Sequence, residues 1–574
     1  APNTVRPSHM HSFFAVLKVI GILLEVILIF NLLIIVHELG HFLAAKWRGL
    51  HIEGFGIWFG KPIWQKRIGG VMYSLGCIPA GGFVKLPQLM DSAIEGQGEF
   101  AAKDLPKLKP LDKIIVAFAG PLFSFLLAAL FAIIVWQVGR PVSEGERTTT
   151  IGFVQPDSPA AKAGLKPGDE IQRIDGHDIK RWGGQAQDTV TWSIVGSEEK
   201  EITLYVKRGG QVERGVVTPI VEPTKWYQRK GLKMIGIEAM NRPMVATVVV
   251  GSAADKAGFK PSDVLVRVGD DPIFGANSIG EWVKANPGKP IVVTVERGAK
   301  NADGTFPTTV LNFEPRGFIV GGVFPGGPAE AAGLKKGDRI VSADEKPIVY
   351  GSAFIEHIWA HEGKVVTLAV ERGAEKVEVK VTPELPLASD ASPKLRPSIG
   401  ISIEPGDGLA FDLRGRTWPI YPHPGEQLSQ AAGQIVETVK KLLPTSKSSI
   451  GIQQLGGPVM MMRIYYMLFE SPDSWRLVLW FSVVINVNLA LMNMLPIPPL
   501  DGSHITLALV ELIRGRPPGA RTAKMVEYVQ IAGTLLVIGL MLFITLFDVQ
   551  DVFGGKKEKA TMRFKPRTAV EKPM

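Results

Sequence analysis

The stretch Ile34-Ile-Val-His37-Glu38-Leu-Gly-His41-Phe-Leu-Ala-Ala45 places three ionisable side chains inside a long apolar segment. A spacing of four residues puts both imidazoles on one helix face, one turn apart, where they can bind one zinc ion. Glu38 then lies beside that ion and can act as a general base. Ionisable groups within a membrane helix are unfavourable and are usually functional, so the stretch predicts a metal centre inside a membrane.

Distances along this helix separate the motif from a second acidic residue. His41 lies five residues before Lys46, about 7 Å of helical rise inside the first basic anchor. Glu25 lies 21 residues before Lys46, about 31 Å and therefore about one hydrocarbon thickness. We therefore predict that Glu25 is a residue of the outer membrane interface and not a catalytic carboxylate.

Four apolar stretches dominate the two ends of the 574-residue chain, whereas the middle has the composition of a soluble protein. Each stretch is close to or longer than the ~20 residues that cross a bilayer. The fold class we predict is a multi-pass α-helical membrane protein with inserted α+β domains. The predicted transmembrane helices are 13–45, 113–138, 476–502 and 527–548.

The net charge of +9 and the single cysteine, Cys77, exclude few classes of protein. No basic stripe is interleaved with aromatic residues, so we do not predict nucleic-acid binding. Basic residues beside apolar segments instead indicate a lipid bilayer as partner. A single cysteine excludes an internal disulfide framework. Residues 1–10 end in Ser-His-Met and are left out of the fold prediction.

Basic residues concentrate in two connections, which the positive-inside rule places in the cytoplasm. The segment 46–112 contains nine of them, and the connection between the last two spans contains Arg514, Arg516, Arg521 and Lys524. Both termini and the middle block are then predicted outside the cytoplasm. Seven basic residues between Lys556 and Lys572 disagree with this orientation, but tails weigh less than the first spans.

The middle block contains one pattern three times. The first copy reads Ser158-Pro-Ala-Ala-Lys-Ala-Gly-Leu-Lys-Pro-Gly-Asp, and similar copies begin at Ser252 and Gly327. Each copy predicts a short helix that ends at a glycine, then a turn and a strand. The pattern resembles the permuted bacterial PDZ domain, which implies three domains over 149–240, 241–315 and 316–403. In such domains a peptide terminus or an extended strand adds to a sheet edge beside a short loop such as Ile151-Gly-Phe; the alternative is that the repeats are only spacers.

A third zinc ligand is needed, because a catalytic zinc takes three protein ligands and keeps one open position. The segment Asn493-Met-Leu-Pro-Ile-Pro-Pro-Leu-Asp-Gly502 ends the third predicted span. Its three prolines cannot continue a helix, so the backbone unwinds near membrane depth. Such backbone is tolerated only where it is buried in protein or lines a wet cavity. Asp501 is therefore the predicted third ligand.

Together these motifs resemble the site-2 protease family, in particular its bacterial branch that cleaves anti-sigma factors. The resemblance rests on the His37–His41 motif, the Asn493-to-Gly502 segment and the PDZ-like insert between spans two and three, in that family's order. Further likenesses are Ala119-Gly-Pro-Leu-Phe-Ser-Phe-Leu, Leu455-Gly-Gly-Pro and the stretch from Cys77 to Leu86.

The resemblance implies a zinc-dependent protease of the bacterial inner membrane that cuts partly unwound transmembrane helices of other membrane proteins. Asn493, and with it Asn488, would hold the substrate or the developing oxyanion. The stretch Gly54–Lys85, which contains Gly81 and Gly82, would form a hairpin that re-enters the membrane and pairs with the substrate as a strand.

Several residues depart from the family pattern or invite other roles. Ser124 stands where an Asn is expected, which leaves its polar role open, and Ser503 replaces a Gly. A third PDZ-like repeat exceeds the usual one or two. We predict that His504 lies outside the metal's ligand set. His51, His177, His357, His361 and His423 show no partner pattern and are predicted to be surface residues.

Segment 425–443 is predicted to be an amphipathic helix, with apolar residues at Leu428, Ala431, Ala432 and Ile435. This pattern fits a helix on the outer membrane surface. It fits equally a helix that packs on the last PDZ-like domain, and the sequence does not separate the two.

Two other functions compete with intramembrane proteolysis. A membrane-anchored PDZ scaffold with an inactive metal site would need the repeats but not Glu38, so the presence of Glu38 and Asp501 argues against it. A membrane-anchored protease for soluble substrates would place its histidine pair outside the apolar span.

Overall fold

The computed structural model describes residues 9–87, 108–553 and 562–564, apart from short gaps at 185, 187, 225–227, 287–288, 315–316, 349–350, 374, 390–395, 406–407, 413, 444 and 517–518. Most of the excluded N-terminal stretch and the seven basic tail residues, except Arg563, lie outside the described residues.

Helices and strands alternate in the middle of the chain, whereas long helices occupy its ends. The helices are α1 (His9–Trp47), α2 (Pro110–Val138), α3 (Glu144–Arg147), α4 (Pro159–Lys162), α5 (Val190–Val195), α6 (Ala253–Ala257), α7 (Ser278–Ala285), α8 (Pro328–Ala331), α9 (Gly351–Ala360), α10 (Pro424–Leu442), α11 (Pro458–Phe469), α12 (Ser474–Asn493), α13 (Asp501–Arg514) and α14 (Ala520–Phe553), with a 3-10 turn at Ile452–Gln454.

The strands are short except for the first two. They are β1 (Gly54–Ile68), β2 (Val71–Lys85), β3 (Arg140–Ser143), β4 (Ile151–Val154), β5 (Glu170–Ile174), β6 (His177–Asp178), β7 (Ile202–Arg208), β8 (Gln211–Val217), β9 (Ile220–Val221), β10 (Lys233–Met234), β11 (Ile237–Ala239), β12 (Met244–Val248), β13 (Val264–Val268), β14 (Asp271–Pro272), β15 (Ile291–Glu296), β16 (Thr308–Phe313), β17 (Phe318–Val323), β18 (Arg339–Ala343), β19 (Lys346–Pro347), β20 (Val366–Arg372), β21 (Glu375–Val381), β22 (Ala388–Ser389), β23 (Ile401–Pro405), β24 (Leu409–Asp412), β25 (Thr417–Ile420) and β26 (Met562–Arg563).

Two compact units make up the chain. A helical unit comprises Ala1–Pro141, Glu222–Leu232 and Trp418–Asp551, and a repeat unit comprises Val142–Val221, Lys233–Thr417 and Val552–Met574. Four helices of the described residues are long and apolar enough to cross a membrane. They are α1, α2, α12 and α14, the four that the sequence predicts.

The third span is shorter than the predicted range 476–502. Helix α12 ends at Asn493, and a separate helix, α13, begins at Asp501. The intervening segment contains Pro496, Pro498 and Pro499, which lack the N–H that a helix needs. The predicted break is therefore present, but the connection that follows it is a helix and not a loop.

Small residues let the helices of the helical unit approach closely. Ala128 and Ala132 of α2 are fully buried in a cluster with Leu33 of α1 and Val483 and Val487 of α12. Where α1 crosses α2, a Cβ on Gly40 would be 2.3 Å from the carbonyl oxygen of Ala119, so only glycine fits. This close crossing sets the relative position of the two helices at the His-Glu-Leu-Gly-His motif.

Helix α10 (Pro424–Leu442) spans most of the segment 425–443, and part of its apolar face lies against other helices. Leu428, Ala431 and Ala432 join the cluster that α1, α2 and α12 form. Gln427 adds a hydrogen bond from its side-chain amide to the carbonyl oxygen of Ala132, 2.9 Å away. This end of the helix packs on other helices of its own unit, which neither sequence interpretation specified.

Strands β1 and β2 form the hairpin that the family resemblance implies, but it is folded back on itself. Gly54–Ile57 pairs with Met72–Leu75 on one side and with Gly82–Lys85 on the other. The segment Gly82–Lys85 is therefore an edge of this sheet, since it pairs on one side only among the described residues.

Each of the three repeats has its own apolar core. The second and third contain six-stranded sheets of the same order, whereas the first contains the sheet β6-β5-β7-β8 and a separate strand pair, β11-β4. In the second sheet, β12 pairs with β24, which follows the third repeat in the chain. The third sheet, β21-β20-β18-β17-β23, is thus inserted within the second domain. The range 241–315 predicted for that domain leaves out its edge strand, because a strand of four residues after an insertion carries no clear pattern.

One buried ion pair recurs in all three repeats and explains their shared Lys-x-Gly/Ser-Asp sequence. The aspartate accepts a hydrogen bond from the backbone N–H of the lysine three residues earlier. It also accepts two from an arginine, which donates another to the carbonyl of the helix-ending glycine. These pairs are Asp169–Arg208, Asp263–Arg297 and Asp338–Arg372. In the third, hydrogen bonding from Arg372 lowers the pKa of Asp338.

Candidate metal centre

Three side chains meet where α1 faces the start of α13. The Nε2 atoms of His37 and His41 are 3.3 Å apart. One carboxylate oxygen of Asp501 lies 3.3 Å from Nε2 of His37, and the other lies 3.5 Å from Nε2 of His41. The four-residue spacing within α1 and the proline-broken chain before α13 thus bring together the three residues predicted from the sequence.

The second ring nitrogens are held from α2. Nδ1 of His41 is 2.8 Å from the carbonyl oxygen of Val116, which can only accept a hydrogen bond. The proton of a neutral His41 is therefore on Nδ1, and the lone pair of Nε2 faces His37 and Asp501. Nδ1 of His37 lies 3.0 Å from Oγ of the fully buried Ser124. Ser124, whose role the sequence left open, therefore orients His37.

This arrangement fits a tetrahedral zinc. Zinc bonds of ~2.0–2.1 Å to nitrogen or oxygen require ligand atoms about 3.3–3.5 Å apart in a tetrahedron. The two Nε2 atoms are 3.3 Å apart, and each has a different oxygen of Asp501 at 3.3 or 3.5 Å. Oδ2 of Asp501 is buried and has no hydrogen-bond partner, which is unusual for a buried carboxylate oxygen and fits a role as a metal ligand. Gly120 leaves the necessary space, since a Cβ there would lie 2.2 Å from Nε2 of His41.

A cavity of about 370 Å³ opens onto these atoms. Glu38, Gly82, Asn493 and His504 also line it, and the side-chain nitrogen of Asn493 is 3.3 Å from Nε2 of His37. Of the predicted substrate-binding residues, Gly82 therefore lies at the site. Gly81 and Asn488 do not line this cavity.

A second group of potential ligands has different geometry. Nε2 of His357 is 2.8 Å from a carboxylate oxygen of Asp344, and the rings of His357 and His361 stack at 4.1 Å. The first distance is that of a hydrogen bond and is shorter than the separation of two zinc ligands. These histidines, predicted to be surface residues, are therefore a hydrogen-bonded and stacked set in the third repeat.

Proteins similar to this chain include two that are named as proteases, and one of these names specifies a zinc metalloprotease. Over 538 residues, the chain is 27% identical to a protein of Neisseria meningitidis that is named as a zinc metalloprotease, covering 92% of this chain and 98% of that one. It is 25% identical over 544 residues to the regulator of sigma-E protease RseP of Escherichia coli, covering 89% of this chain and 95% of that one.

One solved structure resembles a smaller part of the chain. It is the PDZ domain of an SdrC-like protein from Listeria monocytogenes, at 24% identity and a TM-score of 0.15. The match covers 16% of this chain and 92% of that one.

The model of peptidase family M50 matches residues 25–537, from within α1 to within α14. That range includes the His37–His41 motif, Asp501 and all three repeats. The chain therefore belongs to peptidase family M50.

Proposed function

We propose that this zinc metalloendopeptidase hydrolyses peptide bonds within transmembrane segments of other membrane proteins. The observation that carries the proposal is the position of the ligand atoms. His37 and His41 lie in the apolar part of α1, and Asp501 follows directly on the break that ends α12. A protease with this centre would meet its substrate at membrane depth.

His37, His41 and Asp501 are the proposed zinc ligands. A zinc ion held there would polarise the scissile carbonyl and activate the attacking water. Glu38 would accept the proton of that water and pass it to the leaving nitrogen. Asn493 would donate a hydrogen bond from its amide to the oxyanion that develops on the carbonyl, and its position 3.3 Å from Nε2 of His37 supports this role.

The edge segment Gly82–Lys85 supports a way of presenting the substrate. A helical peptide bond is shielded by the helix's own hydrogen bonds, so the substrate must unwind before water can attack. Gly82, Phe83 and Val84 line the cavity with Glu38, and their strand pairs on one side only among the described residues. An unwound substrate would add there as a further strand, which satisfies its backbone groups and places a peptide bond over the centre.

The basic connections and the relatives support a cellular setting. The residues of 46–112 and Arg514–Lys524 would face the cytoplasm of a bacterium, which puts the PDZ-like domains outside it. The named relatives include regulators of sigma-E protease, so membrane-anchored regulatory proteins such as anti-sigma factors are the substrate class we propose. Each PDZ-like domain would bind a peptide terminus or an extended strand.

Cleavage by purified Glu38→Gln protein, compared with wild type, tests the proposal. The substrate is a membrane protein with one transmembrane helix, reconstituted with the enzyme in lipid vesicles. Loss of the general base should slow cleavage by about 10²–10⁴-fold, and zinc should remain at one ion per chain because no ligand is lost.

Glu25→Gln is the matched control, since Glu25 is an exposed carboxylate on the same helix, outside the cavity. It should cleave at the wild-type rate. If Glu38→Gln retained wild-type activity, Glu38 would have no part in the reaction, and the proposed mechanism would be wrong.

A further inference from the structure

The three PDZ-like repeats differ at the residue that begins their first helix. In the first repeat the side chain of Ser158 caps α4 by accepting a hydrogen bond from the N–H of Ala161. In the second, Ser252 does the same for Asp255. In the third, Gly327 stands at this position and makes no side-chain cap.

Each of these residues faces a glycine in the loop before the edge strand of its domain. A Cβ on Gly236 would be 2.4 Å from Cβ of Ser158, and a Cβ on Gly408 would be 2.3 Å from Cβ of Ser252. The serine thus fills the space beside the loop in the first two domains. In the third domain Gly327 leaves that space open beside Gly400.

An aromatic ring from the C-terminal tail occupies the open space. Phe564 is 7% exposed, and a Cβ on Gly400 would be 2.8 Å from its ring, against 3.2 Å for Gly327. The two residues before it form β26, which pairs antiparallel with β22 through Ala388–Arg563 and Ser389–Met562. A ring contact and a strand pairing therefore both place the tail on this domain.

The occupied position lies at the start of the edge where a peptide would add. Gly400 directly precedes β23, the last strand of the sheet β21-β20-β18-β17-β23. The corresponding glycines, Gly236 and Gly408, directly precede β11 and β24 in the other two domains. Extended peptides bind PDZ domains by adding to such an edge strand next to its loop.

We propose that Met562–Phe564 is an internal ligand of the third PDZ-like domain, anchored by Phe564 in the slot that Gly327 leaves open. The tail competes with extended peptides for this domain, whereas the serines of the first two domains close the equivalent slot. Eight residues join Phe553 to Met562, so docking of the tail is intramolecular, and a free peptide competes with a segment of the same chain. A competing peptide must therefore bind the third domain more tightly than the tail does, or bind it while the tail is undocked.

Disulfide trapping in the full-length protein tests the docking. Ser389→Cys and Met562→Cys are combined in a Cys77→Ser background, because paired antiparallel residues are close enough for a disulfide. Mild oxidation should cross-link this pair rapidly, and Phe564→Ala should slow the reaction at least fivefold. Thr305→Cys with Met562→Cys is the control and should not cross-link. Equal rates for both pairs would overturn the docking.

Peptide binding tests the competition. The probe is a fluorescent peptide with the sequence of residues 559–568, titrated into full-length wild type and Phe564→Ala. The variant, whose slot is vacated, should bind it with a Kd at least tenfold lower than wild type. Adding Gly327→Ser to Phe564→Ala should abolish this binding, while a serine cap of the kind seen at Ser158 and Ser252 preserves the fold.

Equal Kd values for wild type and Phe564→Ala would show that the tail does not occupy the site. Binding that survives Gly327→Ser would show that the slot is not the site, and either result overturns the proposal. Neither readout involves cleavage, so the outcome is separate from that of the proposed function.

Discussion

Two groups of α2 orient the imidazoles of the metal centre. Oγ of Ser124 contacts Nδ1 of His37, and the carbonyl oxygen of Val116 accepts a hydrogen bond from Nδ1 of His41. Groups that orient a ligand histidine commonly change metal affinity by about 10–100-fold when they are removed. Ser124→Ala should therefore weaken zinc binding about tenfold, measured by competition with a chelator of known affinity.

Ser482→Ala is the control for this variant. Ser482 is also a fully buried serine of a span, but its hydroxyl bonds to Tyr465 and not to a histidine. It should leave zinc affinity unchanged. An unaltered affinity in Ser124→Ala would mean that this contact does not orient His37.

Asp501 and His504 both line the cavity, and the two carboxylate oxygens of Asp501 lie 3.3 Å from Nε2 of His37 and 3.5 Å from Nε2 of His41. Asp501→Ala should thus weaken zinc binding by at least 100-fold, because one of three protein ligands is lost. His504→Ala should change it less than threefold in the same titration. The reverse order would make His504 the third ligand.

The sequence predicted these chemical groups better than the contacts that position them. His37, Glu38 and His41 share one helix turn, so their proximity follows from local geometry. Asp501 followed from a break that three prolines impose on a span. The bond between His37 and Ser124 joins residues 87 positions apart and depends on how α1 crosses α2. Periodicity within one helix carries no information about that crossing.

Among the secondary-structure elements, the hairpin of β1 and β2 allows a test of substrate pairing at its edge strand. The backbone N–H of Glu53 donates to the carbonyl of Lys85, so Lys85 points its backbone groups into the sheet. Along a strand these directions alternate, and Val84 therefore points its N–H outward. Val84→Pro removes this donor at an edge, where proline is tolerated.

Cleavage by Val84→Pro should fall at least tenfold, while zinc stays at one per chain. Val84→Thr keeps both the N–H and the β-branched shape, and it should cleave like wild type. The measurement is the initial rate on the single-span substrate. Wild-type activity of Val84→Pro would show that the substrate does not pair with this edge through Val84.

The family resemblance implied a hairpin, but not the position of its edge. Gly54–Ile57 pairs on both sides because β2 returns to it after a bend. Helix α13 was likewise missed, since the basic residues at its end indicated only a cytoplasmic connection. In both cases the missing information lies in pairings and packing between segments.

For the whole molecule, the division into two units predicts what can be removed. Every proposed zinc ligand belongs to the helical unit, and so does the segment Glu222–Leu232. Within that segment Arg229 forms ion pairs with Asp548 and Asp551. A truncation should therefore keep Glu222–Leu232 and replace Val142–Val221 and Lys233–Thr417 by flexible linkers.

The truncated enzyme should retain one zinc and cleave substrates with a folded outer domain at least tenfold faster than the full chain does. The physical reason is steric, because the PDZ-like domains would restrict the size of what reaches the centre. The comparison uses one transmembrane helix with and without a fused outer domain. Loss of cleavage even for the short substrate, with zinc still bound, would indicate that the domains present substrate actively.

The organisation of the repeats was only partly readable from the sequence. The number of repeats followed from one motif. In every copy its buried aspartate accepts a hydrogen bond from the N–H of the lysine three residues earlier and forms an ion pair with an arginine. The insertion of the third domain into the second did not follow. Its evidence is the pairing of β12 with β24, across a sequence separation of more than 150 residues.

The position of the cleaved bond distinguishes cleavage within the membrane from cleavage outside it. Products of the single-span substrate, made by wild type and by Glu38→Gln in lipid vesicles, are identified by mass spectrometry. We expect new termini inside the transmembrane segment, produced by wild type and absent with Glu38→Gln. A bond cut only in the substrate's soluble part would show that the enzyme does not cleave transmembrane segments.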